Sequence, residues 1–489
     1  MEPARKKIMP SIIITSLYAI AVFLMAYRHE PFVDELNVMM VLKNYGGYDF
    51  WRYVITDGNP PWFFFLAWPL VKLGLSFFSL QVLCAAVNVA AVFFLNAFSP
   101  FPLFLNILIT LSAPFIYFYP VIARSYSLLP FLFIVAAYQY PVFSGHVKSK
   151  VSLVLYAFSI AAIAGNHVTL LGFALASFYF FLHDMRPYIQ SDKRKIIIFS
   201  LLIIFFPILF MFIQSAVALS TVYDVSLLNN FSLSGIKEVL IRFFAAFFDI
   251  PAGSLIQHGL LDNQGLFFPF MSLFCLSITA AICLFFFSIK ARYGFIALSG
   301  LFFNIYVHIN YPFVYPYMVY ISHLVFLFLL WIIFDVEKIS AAKRKIGAGM
   351  LSMLFFLSIP IGFYSVKEDY NKMFSASREM ADFIKANIPI DGKSVIILAV
   401  PWFGASVAYY LENYPVFDIN GNPVKSLMIP SRFKNKNIIH SAKFNGMKIY
   451  YLIPKFLKEE MDARGKQTLL HSTPDSIAIV EDFCLYTQK

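Results

Sequence analysis

Apolar segments long enough to cross a bilayer recur along most of this chain, and they constrain its fold more than any other feature. The first runs from Ile8 to Tyr27 without a charged residue. About 20 such residues in a helix span the hydrocarbon core of a membrane. Of the 489 residues, 60% are hydrophobic and only 13% are charged, which is about half the charged share of soluble proteins. The chain is therefore predicted to be a polytopic α-helical membrane protein.

Basic clusters between the apolar segments predict the orientation, because Lys and Arg concentrate on the cytoplasmic side. The clusters lie around Lys6, Lys148, Lys193, Lys290 and Lys343. An even number of crossings must separate any two clusters. Five candidate segments lie between the first two clusters, so one of them cannot cross. We expect segment 60–75, which is short and opens with two prolines, to lie along the outer interface or to be re-entrant. The result is about eleven transmembrane helices, or thirteen if short ones are missed, with the N-terminus cytoplasmic.

Three regions between or beyond the membrane segments are predicted to face the outer side. They are residues 28–59, 218–264 and 366–489. The last region changes to the pattern of a soluble α/β domain. Its predicted elements are helices over Arg378–Asn387 and Ala405–Leu411 and strands over Ser394–Val400, Lys448–Ile453 and Ser476–Val480. We thus expect a membrane module over residues 1–365 and an extracytoplasmic α/β domain over residues 366–489.

Composition and motifs exclude several classes of function. The net charge of +11 arises from short basic clusters between apolar segments, so it is no nucleic-acid footprint. The sequence contains no glycine-rich nucleotide loop and no Cys or His spacing typical of zinc. Its four cysteines show no disulfide pattern. We expect no cofactor, no metal requirement and no nucleic-acid partner.

Two adjacent carboxylates, Asp34 and Glu35, follow closely after the first apolar helix. A protein this hydrophobic rarely places ionisable groups at a membrane boundary without using them. Such a pair can take a proton from a hydroxyl as a general base, hold a cation or pair with a buried base. It can also serve as an N-cap and a first-turn acid, since Leu36 to Lys43 has a helical pattern. The residues alone leave these alternatives open.

Other polar residues share the predicted outer face with the acidic pair. Arg124, in Arg124-Ser-Tyr126, can clamp a phosphate or anchor at lipid headgroups. His167, in His167-Val-Thr169, can bond a substrate or cap a turn. Trp62 can stack on a sugar or anchor in the interface. His308 and His323 flank a Tyr-rich outer turn, and either can face the same cavity.

Taken in order, these motifs resemble those of the GT-C superfamily of integral-membrane glycosyltransferases, especially protein O-mannosyltransferases and lipid A aminoarabinose transferases. In the family, as in this chain with Asp34-Glu35, an acidic pair follows the first helix. Arg124-Ser-Tyr126-Ser-Leu128 is similar to the family's Arg-x-Tyr-x-Leu element, and His167-Val-Thr169 to its His-x-Thr step. Asn59-Pro60-Pro61-Trp62-Phe63-Phe64 stands where relatives often have His-Pro-Pro-Leu-Tyr-Tyr. The family's histidine and tyrosine pair are thus replaced by Asn59 and Phe63-Phe64.

The resemblance implies an inverting glycosyltransferase that uses a polyprenyl-phosphate-linked sugar on the outer face of a bacterial cytoplasmic membrane. Asp34 would be the base, with Glu35 orienting the acceptor or replacing Asp34. The expected donor-phosphate residues are Arg124, Tyr126, His167, Lys237 and Arg242. The expected substrate-binding residues are Asn59, Trp62, His258, Tyr315, Tyr317 and His323. An O-antigen or another lipid-linked glycan is the favoured acceptor, with lipid A or a protein as alternatives.

Three other classes remain compatible with the sequence. A proton-coupled transporter or flippase of a lipid-linked glycan would use Asp34 and Glu35 as an ion site, although the internal repeats and broken helices common in transporters are not evident. An O-antigen polymerase or ligase would be expected to centre on Arg and His residues in a large outer loop. A receptor-like membrane protein would bind its partner through the tail.

Overall fold

The computed structural model describes most of the chain. The described residues are 2–57, 61–140, 149–189, 194–221, 233–245, 267–310, 316–418, 421–424, 444, 446–463, 467–477 and 481–488. Within them the chain forms nineteen α-helices and one five-stranded sheet. The helices dominate up to residue 371, and the sheet belongs entirely to the tail.

In the described part of the chain, sixteen α-helices precede the tail. They are α1 (Glu2–Arg28), α2 (Val33–Asn44), α3 (Gly47–Asp57), α4 (Pro61–Lys72), α5 (Phe77–Phe98), α6 (Leu103–Leu111), α7 (Leu129–Gln139), α8 (Lys150–Ala164), α9 (Leu171–Met185), α10 (Arg194–Thr221), α11 (Leu233–Ala245), α12 (Phe267–Ile289), α13 (Ala291–Asn310), α14 (Pro316–Val319), α15 (Ile321–Val336) and α16 (Ala341–Asn371). The predicted helix over Leu36 to Lys43 is confirmed as part of α2. Residues 218–264, expected as an outer loop, contain α11.

Among the described residues, seven helical stretches are long and apolar enough to cross a membrane. They are Lys7–Arg28, Phe77–Phe98, Val168–Tyr188, Arg194–Val217, Ser272–Ile289, Tyr317–Val336 and Ala341–Asn371. Two shorter apolar helices, Ser125–Gln139 and Lys150–Ala164, accompany them. The multi-pass α-helical class is confirmed, while the count of eleven crossings and the orientation stay predictions.

The helices differ in how much of their surface other helices cover. In the 18-residue apolar window of Tyr317–Val336, 89% of the residues are buried, whereas only 22% are buried in that of Lys7–Arg28. Exposed Ile, Leu and Phe side chains cover much of the outer helices, which is a surface suited to lipid tails rather than water. The helix α15 is therefore the centre of the bundle, and α1 lies at its periphery.

The short helix α4 lies in segment 60–75, which was expected not to cross the membrane. Its 12 residues would measure about 18 Å along the axis, well short of a hydrocarbon core of about 30 Å. This length agrees with a segment that does not cross the membrane. Its placement at the interface stays a prediction.

The tail folds as an α/β unit around a mixed sheet. Its elements are α17 (Ser377–Asn387), β1 (Ser394–Leu398), α18 (Pro401–Tyr410), β2 (Val416–Asp418), β3 (Lys448–Pro454), α19 (Lys458–Ala463), β4 (Gln467–Ser472) and β5 (Phe483–Gln488). The strand order is β2-β1-β3-β5-β4. Strands β2, β1 and β3 run parallel, and β5 is antiparallel to β3 and β4. The extracytoplasmic location of this unit and the boundary at residue 366 stay predictions.

The predicted helices of the tail and the strands near Ser394 and Lys448 are confirmed, but the strand predicted over Ser476–Val480 is wrong where the structure describes it. Ser476 and Ile477 are not in a strand. Their amide groups donate to the Asp482 carboxylate and the Met373 carbonyl oxygen instead of to a ladder. Strand β5 begins at Phe483, and β2 and β4 were not predicted.

Candidate active site

The acidic pair lies in the first turn of α2. The helix is preceded by Phe32 as its N-cap, so neither Asp34 nor Glu35 is the N-cap residue, although Glu35 accepts the Phe32 amide from the third helical position. Negative charge in the first turn is favourable, because the free amide groups there carry partial positive charge. Consecutive residues in an α-helix point about 100° apart. The two carboxylates therefore face different surroundings.

The carboxylate of Asp34 forms an ion pair with Arg124, through Oδ2 and Nη1. The same Nη1 donates a hydrogen bond of 3.3 Å to the hydroxyl oxygen of Tyr317. Arg124 is held just before the 3-10 turn Ser125–Leu128 that leads into α7. The pair remains accessible, since 21% of the Asp34 side chain and 15% of the Arg124 side chain are exposed. A ligand can reach both charges.

Aromatic rings line one side of this pair. The ring of Tyr126 lies 4.8 Å from that of Tyr317 and 5.1 Å from that of His167, measured between centroids. His167 Nδ1 accepts the Thr169 amide at 3.3 Å, so the histidine caps the short turn that follows. Burial, reinforced by the positive charge of Arg124, lowers the pKa of His167 to about 3. His167 is thus a neutral ring that both caps a turn and contacts the aromatic wall.

The carboxylate of Glu35 is sealed inside the protein, with no exposed surface. Its Oε1 accepts the backbone amide of Ala123 at 2.7 Å, directly before Arg124. Its Oε2 accepts the Phe32 amide at 3.2 Å and faces His29 Nε2 at 2.9 Å. A carboxylate this heavily hydrogen-bonded and buried has no room for a substrate. Glu35 fixes α2 to the Arg124 segment.

His29 connects Glu35 to the last helix of the bundle. Its Nδ1 lies 2.8 Å from Oδ2 of Asp369 in α16, and that oxygen also accepts the hydroxyl of Tyr117 at 2.9 Å. Burial lowers the pKa of His29, but the carboxylates of Asp369 and Glu35 outweigh it and raise the pKa to about 10. A protonated His29 bridging two carboxylates forms what we call the buried triad, Glu35, His29 and Asp369.

The sequence analysis missed His29 and Asp369. The available signal was an ionisable residue directly after the first apolar segment and another near the end of the last one, where such groups are rarely idle. Their partnership joins positions 340 residues apart. No local pattern reveals such a contact.

Trp62 is brought close to the turn that carries His167. Its indole covers the backbone of Gly165, and a Cβ atom at that glycine would fall 1.7 Å from Trp62 Nε1. Only a residue without a side chain permits this approach. Half-buried Trp62 also meets the rings of Phe65 and Phe158. Its predicted role in sugar stacking stays a prediction.

The remaining predicted site residues are placed as follows. His323 is buried in α15 between the rings of Tyr320 and Phe355, at 5.0 and 5.6 Å. His308 contacts the ring of Phe243 at 5.6 Å. Lys237 is exposed on α11. Outside the described residues lie Asn59, His258, Tyr315 and the side chain of Arg242. Within the described part of the chain, no group of three or more His, Cys, Asp or Glu residues is arranged to hold a metal ion.

Two solved structures are similar to this chain in overall layout. They are ArnT from Cupriavidus metallidurans in the apo state, with a TM-score of 0.47, and the same protein bound to undecaprenyl phosphate, with a TM-score of 0.45. Each alignment has 10% sequence identity and covers 97% of both chains. No protein-family model and no curated protein matches the chain. The chemistry of this site therefore has to be argued from its own geometry.

Proposed function

We propose that this protein is an inverting glycosyltransferase that moves a sugar from a polyprenyl-phosphate donor to an acceptor hydroxyl. The observation that carries the proposal is the accessible ion pair between Asp34 and Arg124, backed by Tyr317 and Tyr126. It combines a carboxylate that can take a proton with a cation that can bind a phosphate. Both needs of the reaction are met by two side chains in contact with each other.

The proposed step is a single displacement. The acceptor oxygen attacks the anomeric carbon, and the bond from that carbon to the phosphate oxygen breaks. The acceptor proton passes to Asp34, and the polyprenyl phosphate leaves with the bonding electrons. Arg124 then meets the negative charge that builds on the leaving phosphate. Attack from the face opposite the leaving group inverts the anomeric configuration.

The ion pair also suggests how donor and base are coupled. Without donor, the Arg124 guanidinium pairs with the Asp34 carboxylate. A donor phosphate competes for the guanidinium, because Arg binds phosphate through two parallel hydrogen bonds. When Arg124 turns toward the phosphate, the Asp34 carboxylate becomes free to accept a proton. Binding of the donor would thus activate the base.

Surrounding residues fit supporting roles in this scheme. The rings of Tyr126 and Tyr317 border the pair and offer flat faces to a sugar. Because Nδ1 accepts the Thr169 amide, the neutral His167 carries its proton on Nε2 and can donate a hydrogen bond from there without adding charge. Lys237 and Arg242 on α11 are further candidates for the phosphate. Glu35 is enclosed by its own hydrogen bonds, which favours Asp34 over Glu35 as the base.

The remaining parts of the proposal concern place and partner. We propose the outer face of a bacterial cytoplasmic membrane, where activated sugars reach an enzyme on flipped lipid carriers. Residues 1–365 would form the catalytic membrane module and residues 366–489 an extracytoplasmic domain. An O-antigen or other lipid-linked glycan is the proposed acceptor.

The test is turnover by purified protein in lipid nanodiscs. Polyprenyl-phosphate hexoses are supplied with a panel of lipid-linked glycans, lipid A and peptides, and wild type is compared with Asp34→Asn. Loss of the base should lower kcat by about 10²- to 10⁴-fold, while binding of polyprenyl phosphate is retained. Asp475→Asn is the matched control, because its carboxylate is 84% exposed in the tail.

Each outcome separates the alternatives. Transfer by wild type and by Asp475→Asn, but not by Asp34→Asn, supports the proposal and identifies the acceptor. Equal turnover by Asp34→Asn contradicts the assignment of the base. If no donor gives transfer and proton-coupled movement of a lipid-linked glycan is detected instead, the protein is a transporter. Joining of glycan repeats from two lipid-linked chains would indicate a polymerase or ligase.

A further inference from the structure

The tail contacts the start of α2, the helix that carries Asp34, through a buried carboxyl group. Glu481, just before β5, accepts the backbone amide of Val33 through Oε1 at 2.5 Å. Val33 is the first residue of α2 and directly precedes Asp34. The amide groups of a first helical turn have no partner within the helix. Glu481 therefore supplies, from more than 400 positions away, the partner that this amide needs.

Glu481 is itself held rigidly. Its Oε2 accepts hydrogen bonds from the hydroxyl groups of Ser375 and Ser377, the latter at 3.1 Å, and its side chain has no exposed surface. Burial raises the pKa of Glu481 to about 8, against the lowering effect of the Ser375 hydrogen bond. It acts on α2 through a directed hydrogen bond from the Val33 amide to Oε1.

Other contacts hold the same helix from the tail. Lys43, at the far end of α2, pairs with Glu412 and lies 4.9 Å from the ring centroid of Tyr409. Ahead of the helix, Glu30 accepts the hydroxyl of Tyr410 at 3.1 Å and pairs with Arg378 at 3.2 Å. The helix α18 packs along α2 between these points. The tail thus contacts both ends and one side of the helix that carries Asp34.

We propose that the C-terminal domain is an obligatory part of the catalytic site and that Glu481 is its positioning residue. Glu481 holds the N-terminus of α2, and this fixes the direction in which Asp34 leaves the helix. The claim that Glu481 affects turnover through Asp34 rests on the proposed function. Glu481 touches no reacting atom, and its effect passes through the Val33 amide. Small displacements of a base are costly, because proton transfer requires hydrogen-bond distance to the acceptor.

The experiment compares three full-length variants in nanodiscs. Glu481→Ala removes the acceptor for Val33, Glu481→Gln keeps a carbonyl oxygen in its place, and Asp482→Ala is the matched control. Asp482 is equally buried and accepts the Ser476 amide at 2.8 Å, within the tail itself. Thermal unfolding of each variant sets an assay temperature at which all are folded.

A positioning role predicts a specific pattern. Glu481→Ala should lower kcat by about 10-fold or more while the KM for the donor stays near that of wild type. Glu481→Gln should restore most of kcat, since its amide carbonyl oxygen can accept the Val33 amide in place of Oε1. Asp482→Ala should lower thermal stability and leave kcat unchanged. Hydrogen exchange of the peptide that begins at Val33 should quicken in Glu481→Ala and not in Asp482→Ala.

The failures of this inference and of the proposed function are distinguishable. Normal kcat in Glu481→Ala, or equal losses of kcat in Glu481→Ala and Asp482→Ala, overturns the positioning role while transfer by wild type stands. Unchanged hydrogen exchange at the start of α2 in Glu481→Ala would show that Glu481 does not hold the N-terminus of this helix. If wild type transfers no sugar, the proposed function fails, and the exchange measurement alone decides whether Glu481 holds α2.

Discussion

Asp34 and Glu35 are neighbours in the chain, yet their surroundings are opposite. Asp34 forms an ion pair with Arg124, and a fifth of its side chain is exposed. Glu35 has no exposed surface and joins three backbone or side-chain donors. An acidic pair in a membrane protein thus need not share one task. One carboxylate is accessible to a ligand, and the other holds α2 to the Arg124 segment.

The physical basis of the division is the geometry of the helix. Residues 34 and 35 leave α2 in directions about 100° apart. One direction faces Arg124, and the other faces His29, which in turn contacts Asp369 in α16. Burial of a charge is tolerated only where partners surround it. The buried triad meets that condition, because His29 contributes a positive charge between two negative ones.

The largest effect on stability is expected from removing the centre of the buried triad. His29→Ala leaves Glu35 and Asp369 buried without their shared cation, which should lower the free energy of unfolding by about 3–5 kcal/mol. The measurement is unfolding in detergent micelles, followed by tryptophan fluorescence and by helix content. His183→Ala is the control, since that side chain is 71% exposed and its partner is adjacent in the chain. Equal stability of His29→Ala and wild type would contradict the triad.

A second expected effect is a dependence of the free energy of unfolding on pH, which arises from the buried triad. The pKa of His29 is raised from 6.5 to about 10 in the folded protein, so the folded state binds this proton more tightly than the unfolded state. Its stabilisation is complete below pH 6.5 and is lost as the pH rises toward 10. We expect the stability difference between wild type and His29→Gln to shrink over that range. A difference that stays constant would rule out a protonated His29.

The smallest effect is expected on the accessible side of the comparison. Asp34→Asn should change the free energy of unfolding by only about 0.2–1 kcal/mol, because partly exposed ion pairs contribute little. The same unfolding measurement applies, with Asp475→Asn as the carboxylate control. Should Asp34→Asn destabilise the protein as strongly as His29→Ala, the two carboxylates would both be structural, and the division between them would be lost.

Much of the membrane part was predictable because its signal is local. Apolar segments such as Ile8 to Tyr27 have few alternatives to a spanning helix, and each candidate segment coincides with helix in the described residues. The tail was predicted less completely. Short strands such as Val416–Asp418 carry too few residues for a clear pattern, and the apolar run near Ile477 forms hydrogen bonds outside the sheet.

The sequence by itself determined that the chain is a multi-pass helical membrane protein and that Asp34, Arg124 and His167 merit attention. Those conclusions rest on hydropathy and on short motifs, both of which are properties of neighbouring residues. Only the tertiary structure decided that Arg124 meets Asp34, that Glu35 is sealed with His29 and Asp369, and that Glu481 reaches the start of α2. Ion pairs and hydrogen bonds act over a few ångströms in space, and chain separation leaves no periodic trace of them.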